Sequence, residues 1–142
     1  DKLESESSRY FGPNFKPDFD LELLRTNNYI CHFTLIKASL LKQLAFRKEY
    51  DGAQDYDLFL RVVSCLRKKY EEACRKEGIH NYLKHHIGHV DQIVYHWRCH
   101  EQSTASNPES KRYAYEAGKR AWKGSNLLYS LYGRSSGVQQ TY

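Results

Sequence analysis

The residues best suited to chemistry lie in Tyr50-Asp51-Gly52-Ala53-Gln54-Asp55-Tyr56-Asp57-Leu58. Asp51-Gly52 is a turn signal. Beyond it, Leu58, Val62, Cys65 and Leu66 recur at helical spacing, which predicts a helix from near Gln54 to about Lys76. Asp55 then falls in the first turn, where unpaired amides and the helix dipole favour an ionised carboxylate. A carboxylate held that way at the lip of a cleft suits a general base. The same residue would also serve as an ordinary first-turn acid, which is a common use.

Metal chemistry is less legible. Cys31, Cys65, Cys74 and Cys99 form no C-x-x-C pair, and neither Cys99-His100 nor the interval from Cys74 to His80 matches a structural zinc spacing. Cys31 and Cys65 sit among apolar residues and read as small core residues. Reduced thiols and a cytoplasmic setting, extending to the inner face of the membrane, are expected. The net charge of +5 would attract nucleotide diphosphates or other anions. No arginine-rich block or nucleic-acid motif accompanies it, so a nucleic acid polymer is not an expected partner. Twelve tyrosines offer aromatic faces for a sugar or for a core. No apolar run of membrane-spanning length is present in these 142 residues, and no signal peptide is expected among them.

The elements that must position Asp55 follow from local signals. A length of 142 residues fits one domain or part of a larger one. Residues 1–17 are polar and read as loop. Residues 20–26 form a short helix with Leu21 and Leu24 on one face, ended by Asn27-Asn28. Residues 29–36 are rich in β-branched and aromatic types and predict a strand. Residues 38–44 predict a helix, and 46–52 the loop into the central motif. The charged stretch after Arg67 is a solvated helix supported by opposite charges four apart, such as Lys68 with Glu72, and Gly78 stops it. Residues 87–90 and 92–97 read as short strands. Asn107-Pro108 starts a last helix. Its stripe of Tyr113, Ala114, Ala117, Ala121 and Trp122 is expected to dock on a sheet or a partner. Gly124 interrupts that helix, and residues 133–142 form a disordered tail.

The stretch from Phe46 to Arg61 resembles the acceptor-side motif of family 2 glycosyltransferases with the GT-A fold. In those enzymes an acidic pair opens a helix below the acceptor site, and its second acid takes the proton from the attacking hydroxyl. The resemblance places Asp55 in that role and puts Gln54 where the first acid usually stands, beside the substrate. Asp1-Lys2-Leu3 and Phe15-Lys16-Pro17-Asp18-Phe19 are similar to the segment that follows the family's metal-binding Asp-x-Asp. This implies that Asp1 is its last acid and that a nucleotide-binding half precedes it. Asn28-Tyr29-Ile30-Cys31-His32 is similar to a segment passing the sugar site, which implies substrate contacts for Asn28 and His32. Tyr95-His96-Trp97-Arg98, with the residues after it, is similar to a loop over the diphosphate. From it come Ser103 as a phosphate partner, Arg98 as a partner for a phosphate or an acid, and His100 as a metal ligand.

The implied fold is thus α/β, the acceptor-side half of a GT-A domain spanning residues 1–132, with a short mixed sheet flanked by helices and an insertion at 67–86. The implied activity is inverting transfer of a sugar from a nucleoside-diphosphate donor to a glycan or lipid-linked hydroxyl, as in bacterial surface polysaccharide synthesis, assisted by Mn2+ or Mg2+. This chain alone is expected to be inactive and to self-associate through an exposed strand edge. The alternative is a non-catalytic carbohydrate-binding or interaction module derived from a transferase half.

Overall fold

The structure is a computed structural model describing residues 2–4, 7–99 and 112–133, with residues 126–133 described by backbone alone. Among the described residues, six α-helices, one 3₁₀ turn and three short strands make a mixed α/β arrangement.

The predicted helix start at Gln54 is where α3 (Gln54–Lys69) begins. Asp55 and Asp57 lie in its first turn, and Arg67, Lys68 and Lys69 in its last, both complementing the helix dipole. It ends at Tyr70, where φ is −121° and ψ 37°, rather than running on to Lys76. The Tyr70 ring lies against Tyr82 and His86, with centroids 5.6 and 6.2 Å away. This packing turns the chain into a separate α4 (Glu71–Glu77). Gly78, at φ 79°, leads into α5 (Ile79–His86).

The core is mainly helical. In α1 (Leu21–Thr26), Asp20 caps the start by accepting from the amide of Leu23 at 2.9 Å. Leu21 and Leu24 are buried with Phe19, Tyr56, Phe59, Leu60 and Val63. Cys74, Tyr82 and Leu83 join the same cluster, so residues 67–86 supply part of the core. Helix α2 (Ala38–Leu44) has the predicted bounds and packs on α3. The long α6 (Arg112–Gly133) also packs on α3, burying Ala117 and Ala121. The small-residue stripe thus meets a helix, not a sheet. Tyr113 and Trp122 stay exposed. Gly124 does not interrupt α6. The predicted start of this helix at Asn107-Pro108, and residues 134–142 of the predicted tail, lie outside the described residues.

The sheet differs from expectation in three places. Residues expected as loop form β1 (Lys2–Glu4) and β2 (Tyr10–Phe11), an antiparallel pair closed by a hydrogen bond from Glu4 N to Arg9 O at 2.9 Å. β1 is central and pairs in parallel with β3 (Trp97–Cys99), in the order β2-β1-β3. Residues 29–36 form no strand. Cys31 has a left-handed φ of 45°, and the Lys16 ammonium donates to the carbonyls of Ile30 and His32, two acceptors a ladder would need. Residues 87–96 are also irregular. There a tight turn from Gln92 N to Val90 O, at 2.8 Å, breaks the run that was expected to pair.

Candidate functional site

The first turn of α3 is held from three sides. Asp57, two residues on from Asp55 and 2% exposed, accepts from Arg47 Nε at 3.1 Å and Arg61 Nε at 2.8 Å, with Arg47 Nη2 closing a bidentate pair. The hydrogen bond to Asp57 pushes the Arg47 guanidinium pKa up. Arg61 also donates to the carbonyls of Leu44 and, at 2.7 Å, Ala45, so the same cluster ties the end of α2 to α3. On a second side, the Tyr56 hydroxyl donates to Leu24 O at 2.9 Å, satisfying a carbonyl in the last turn of α1. Burial pushes the Tyr56 phenol up, which keeps it a donor. On the third side Gly52, at φ 88°, lies against α6. A Cβ there would stand 2.5 Å from Tyr113 Cε2 and 3.0 Å from the Cα of Ala114.

Asp55 is half-buried at this fixed turn. Its Oδ1 accepts from the amide of Tyr56 at 2.8 Å, one of the donors a helix start leaves free. Its Oδ2 accepts from Asn28 Nδ2 at 3.0 Å. Asn28 stands just beyond α1, where Tyr56 holds the chain. Asn28 Oδ1 is buried and has no hydrogen-bond partner among the described residues. The next turn of chain is pinned by Lys16, whose pKa is lowered by burial, against a smaller opposing pull from Cys31.

That pinning brings His32 to Asp55. One donor atom each from Cys31, His32 and Asp55 lie within 4.8 Å of one another. The His32 ring packs beside Tyr95 and edge-on to Trp97, with centroids 5.6 and 6.1 Å away. Phe33, exposed, stacks on Tyr95 at 6.5 Å. Asp55, Asn28 and His32 therefore share one site. Gln54 is exposed beside Asp55 and lines a shallow groove with Phe46, Arg47, Lys48 and Asp51. Arg98 is exposed on β3, next in sequence to Trp97 and opposite Leu3 in the register. Asp1, His100 and Ser103 lie outside the described residues.

Four participants were not legible as such. Asp57 and Arg61 carried a signal, since an acid and an arginine four apart meet on a helix. Lys16 and Cys31 carried none, because their partners are set by how distant segments pack. Chemically, the site presents an oriented carboxylate, a neighbouring imidazole and exposed aromatic faces.

The described residues thus define a mixed α/β chain with a carboxylate site at a helix start. No family model matches the chain, and no solved structure matches it. The chain is similar, at 37% identity over 109 residues, to the uncharacterized protein y4gI of Sinorhizobium fredii, covering 76% of this chain and 10% of that protein. It is also similar, at 33% identity over 122 residues, to the O-antigen biosynthesis protein RfbC of Myxococcus xanthus, covering 85% of this chain and 8% of that protein. The chain therefore spans a tenth or less of the length of these curated relatives. Among the described residues, no helix is long and apolar enough to cross a membrane.

Proposed function

We propose that this chain is the acceptor-side part of an inverting glycosyltransferase of family 2 with the GT-A fold, acting in surface polysaccharide synthesis within a longer polypeptide. The observation that carries this reading is the meeting of Asn28 and Asp55 at the start of α3, with His32 alongside. Similarity to an O-antigen biosynthesis protein supports the substrate class. In this reading, Asn28 and the Tyr56 amide orient the Asp55 carboxylate. The acceptor hydroxyl gives its proton to Asp55 as its oxygen attacks the anomeric carbon in line. The bond from that carbon to the donor's diphosphate oxygen breaks, the nucleoside diphosphate leaves, and the configuration inverts. His32 and Gln54 contact substrate hydroxyls, while Arg98 and Ser103 meet the diphosphate.

The proposal includes Mn2+ or Mg2+, which would offset charge on the leaving diphosphate. The residues assigned to it are Asp1 and His100. Both Asp1 and His100 lie outside the described residues. Asp55→Asn in the longer polypeptide should leave donor binding intact and cut transfer by about 10²-fold or more. Near-normal turnover of that variant would refute the assignment.

The exposed stack of Phe33 on Tyr95 favours a second reading, a carbohydrate-binding module without chemistry. It predicts glycan binding by the longer polypeptide, unchanged by Asp55→Asn, and no turnover of any nucleotide sugar.

A further inference from the structure

We propose that Cys31, His32 and Asp55 form a binding site for a thiophilic divalent cation, with Zn2+ as the fitting ion. The three side chains supply sulfur, nitrogen and oxygen, each an established type of zinc ligand. Their donor atoms already lie within 4.8 Å of one another. A tetrahedral zinc ion with bonds of ordinary length spaces its ligand atoms about 3.5 Å apart. Closing the set therefore needs movements of roughly 1 Å, within reach of a small side-chain rotation at the exposed His32, whose ring contacts Tyr95 and Trp97.

The backbone explains why two consecutive residues can serve one ion. In a strand, Cys31 and His32 would point to opposite faces. With Cys31 at φ 45° and no strand formed, both approach Asp55. Each Asp55 oxygen accepts one hydrogen bond, and an ionised carboxylate has about four acceptor positions, so a metal bond does not require losing Asn28. The exposure of His32 leaves a fourth position for water. On binding, the Cys31 thiol releases its proton to solvent, the imidazole binds neutral, and thiolate and carboxylate together balance the two positive charges.

Cation binding stands independently of the transferase reading. Its consequence rests on that reading: an ion on Asp55 occupies the base, so Zn2+ would inhibit transfer.

The test uses the 142-residue chain, prepared without a histidine tag and titrated with Co2+ as a spectroscopic stand-in. The expected result is a near-ultraviolet thiolate-to-cobalt charge-transfer band that saturates at one equivalent and is bleached by Zn2+. The band should vanish in Cys31→Ser and persist in Cys65→Ser. Absence of the band in the parent chain, or its survival in Cys31→Ser, overturns the site. Should Cys31→Ser fail to fold by circular dichroism, His32→Gln and Asp55→Asn decide instead. Both should weaken Co2+ binding at least about tenfold, and unchanged affinity in either overturns the site. Turnover of the longer polypeptide is read separately. Absence of the cobalt band from the parent chain refutes the metal site, whereas normal turnover of Asp55→Asn refutes only the transferase assignment.

Discussion

Asp55 receives one donor from its own helix start and one from a residue 27 positions earlier in the chain. The second is the more informative, because it ties the carboxylate's direction to the packing of α1 on α3. In the proposed transferase reading, Asn28→Ala should therefore lower turnover of the longer polypeptide about tenfold, the loss of one ionic hydrogen bond worth roughly 1.5 kcal/mol. Donor KM should change little, and steady-state kinetics would separate the two. Asp20 offers a test of pH dependence. Its carboxyl is held below the ordinary value of 3.8, chiefly by the Leu23 amide. The folded state then binds fewer protons than the unfolded state as pH falls past that value. The cap's contribution is thus fully present above pH 3.8 and is lost as pH drops through the lower folded value. Asp20→Ala should lower the urea midpoint at pH 7, and the gap from the parent chain should close in strong acid.

At the scale of elements, the placement of α3 rests on contacts with its neighbours more than on its own propensity. Asp57 is buried against two guanidinium groups, one of which also holds the end of α2. Removing one partner of such a cluster leaves buried charge uncompensated, so Asp57→Ala should cost about 3 kcal/mol in chemical denaturation. Two glycines near α6 should respond in opposite ways. Gly52→Ala meets both a left-handed backbone and the wall of α6, and should cost roughly 2 kcal/mol. Gly118 lies inside α6, and a Cβ there would make ordinary contacts of 3.8 Å with Ala53 and 3.9 Å with Tyr56. Gly118→Ala should be neutral or stabilise by up to about 1 kcal/mol, the helix-propensity difference. Equal destabilisation by both substitutions would contradict this packing of α6 on α3.

For the whole molecule, the described sheet has short edges at β2 and β3. Phe33 and Leu35, at 61% and 85% exposure, lie near the site on a segment that pairs with no strand. Unpaired edges and clustered apolar side chains attract other chains. The 142-residue chain should therefore sediment as a dimer or larger species at micromolar concentration, and should turn over no nucleotide sugar by itself. A clean monomer with a cooperative melt would show that the edges are adequately covered.

Local signals determined much of the helical framework. Leu21 and Leu24, the stop at Asn27, the bounds of α2, the start of α3 and the role of Gly78 each depend on residues a few positions apart. Caps, turns and helical periodicity act over that range, so those parts were legible. The place of Asp55 in a first turn was legible for the same reason. The failure of residues 29–36 to form a strand was not, because it depends on an ammonium from residue 16 taking carbonyls that a ladder would use. Nor was the shift of strand structure to residues 2–4, which needs a parallel partner more than ninety positions away. Cys31 read as a core residue, yet it stands beside His32 and Asp55. No sequence spacing marks that cluster, since its members meet only after α1 has packed on α3 and Lys16 has bent the chain between them. Contacts of that kind follow from which buried faces and polar groups can be satisfied together, and only the tertiary structure decides that.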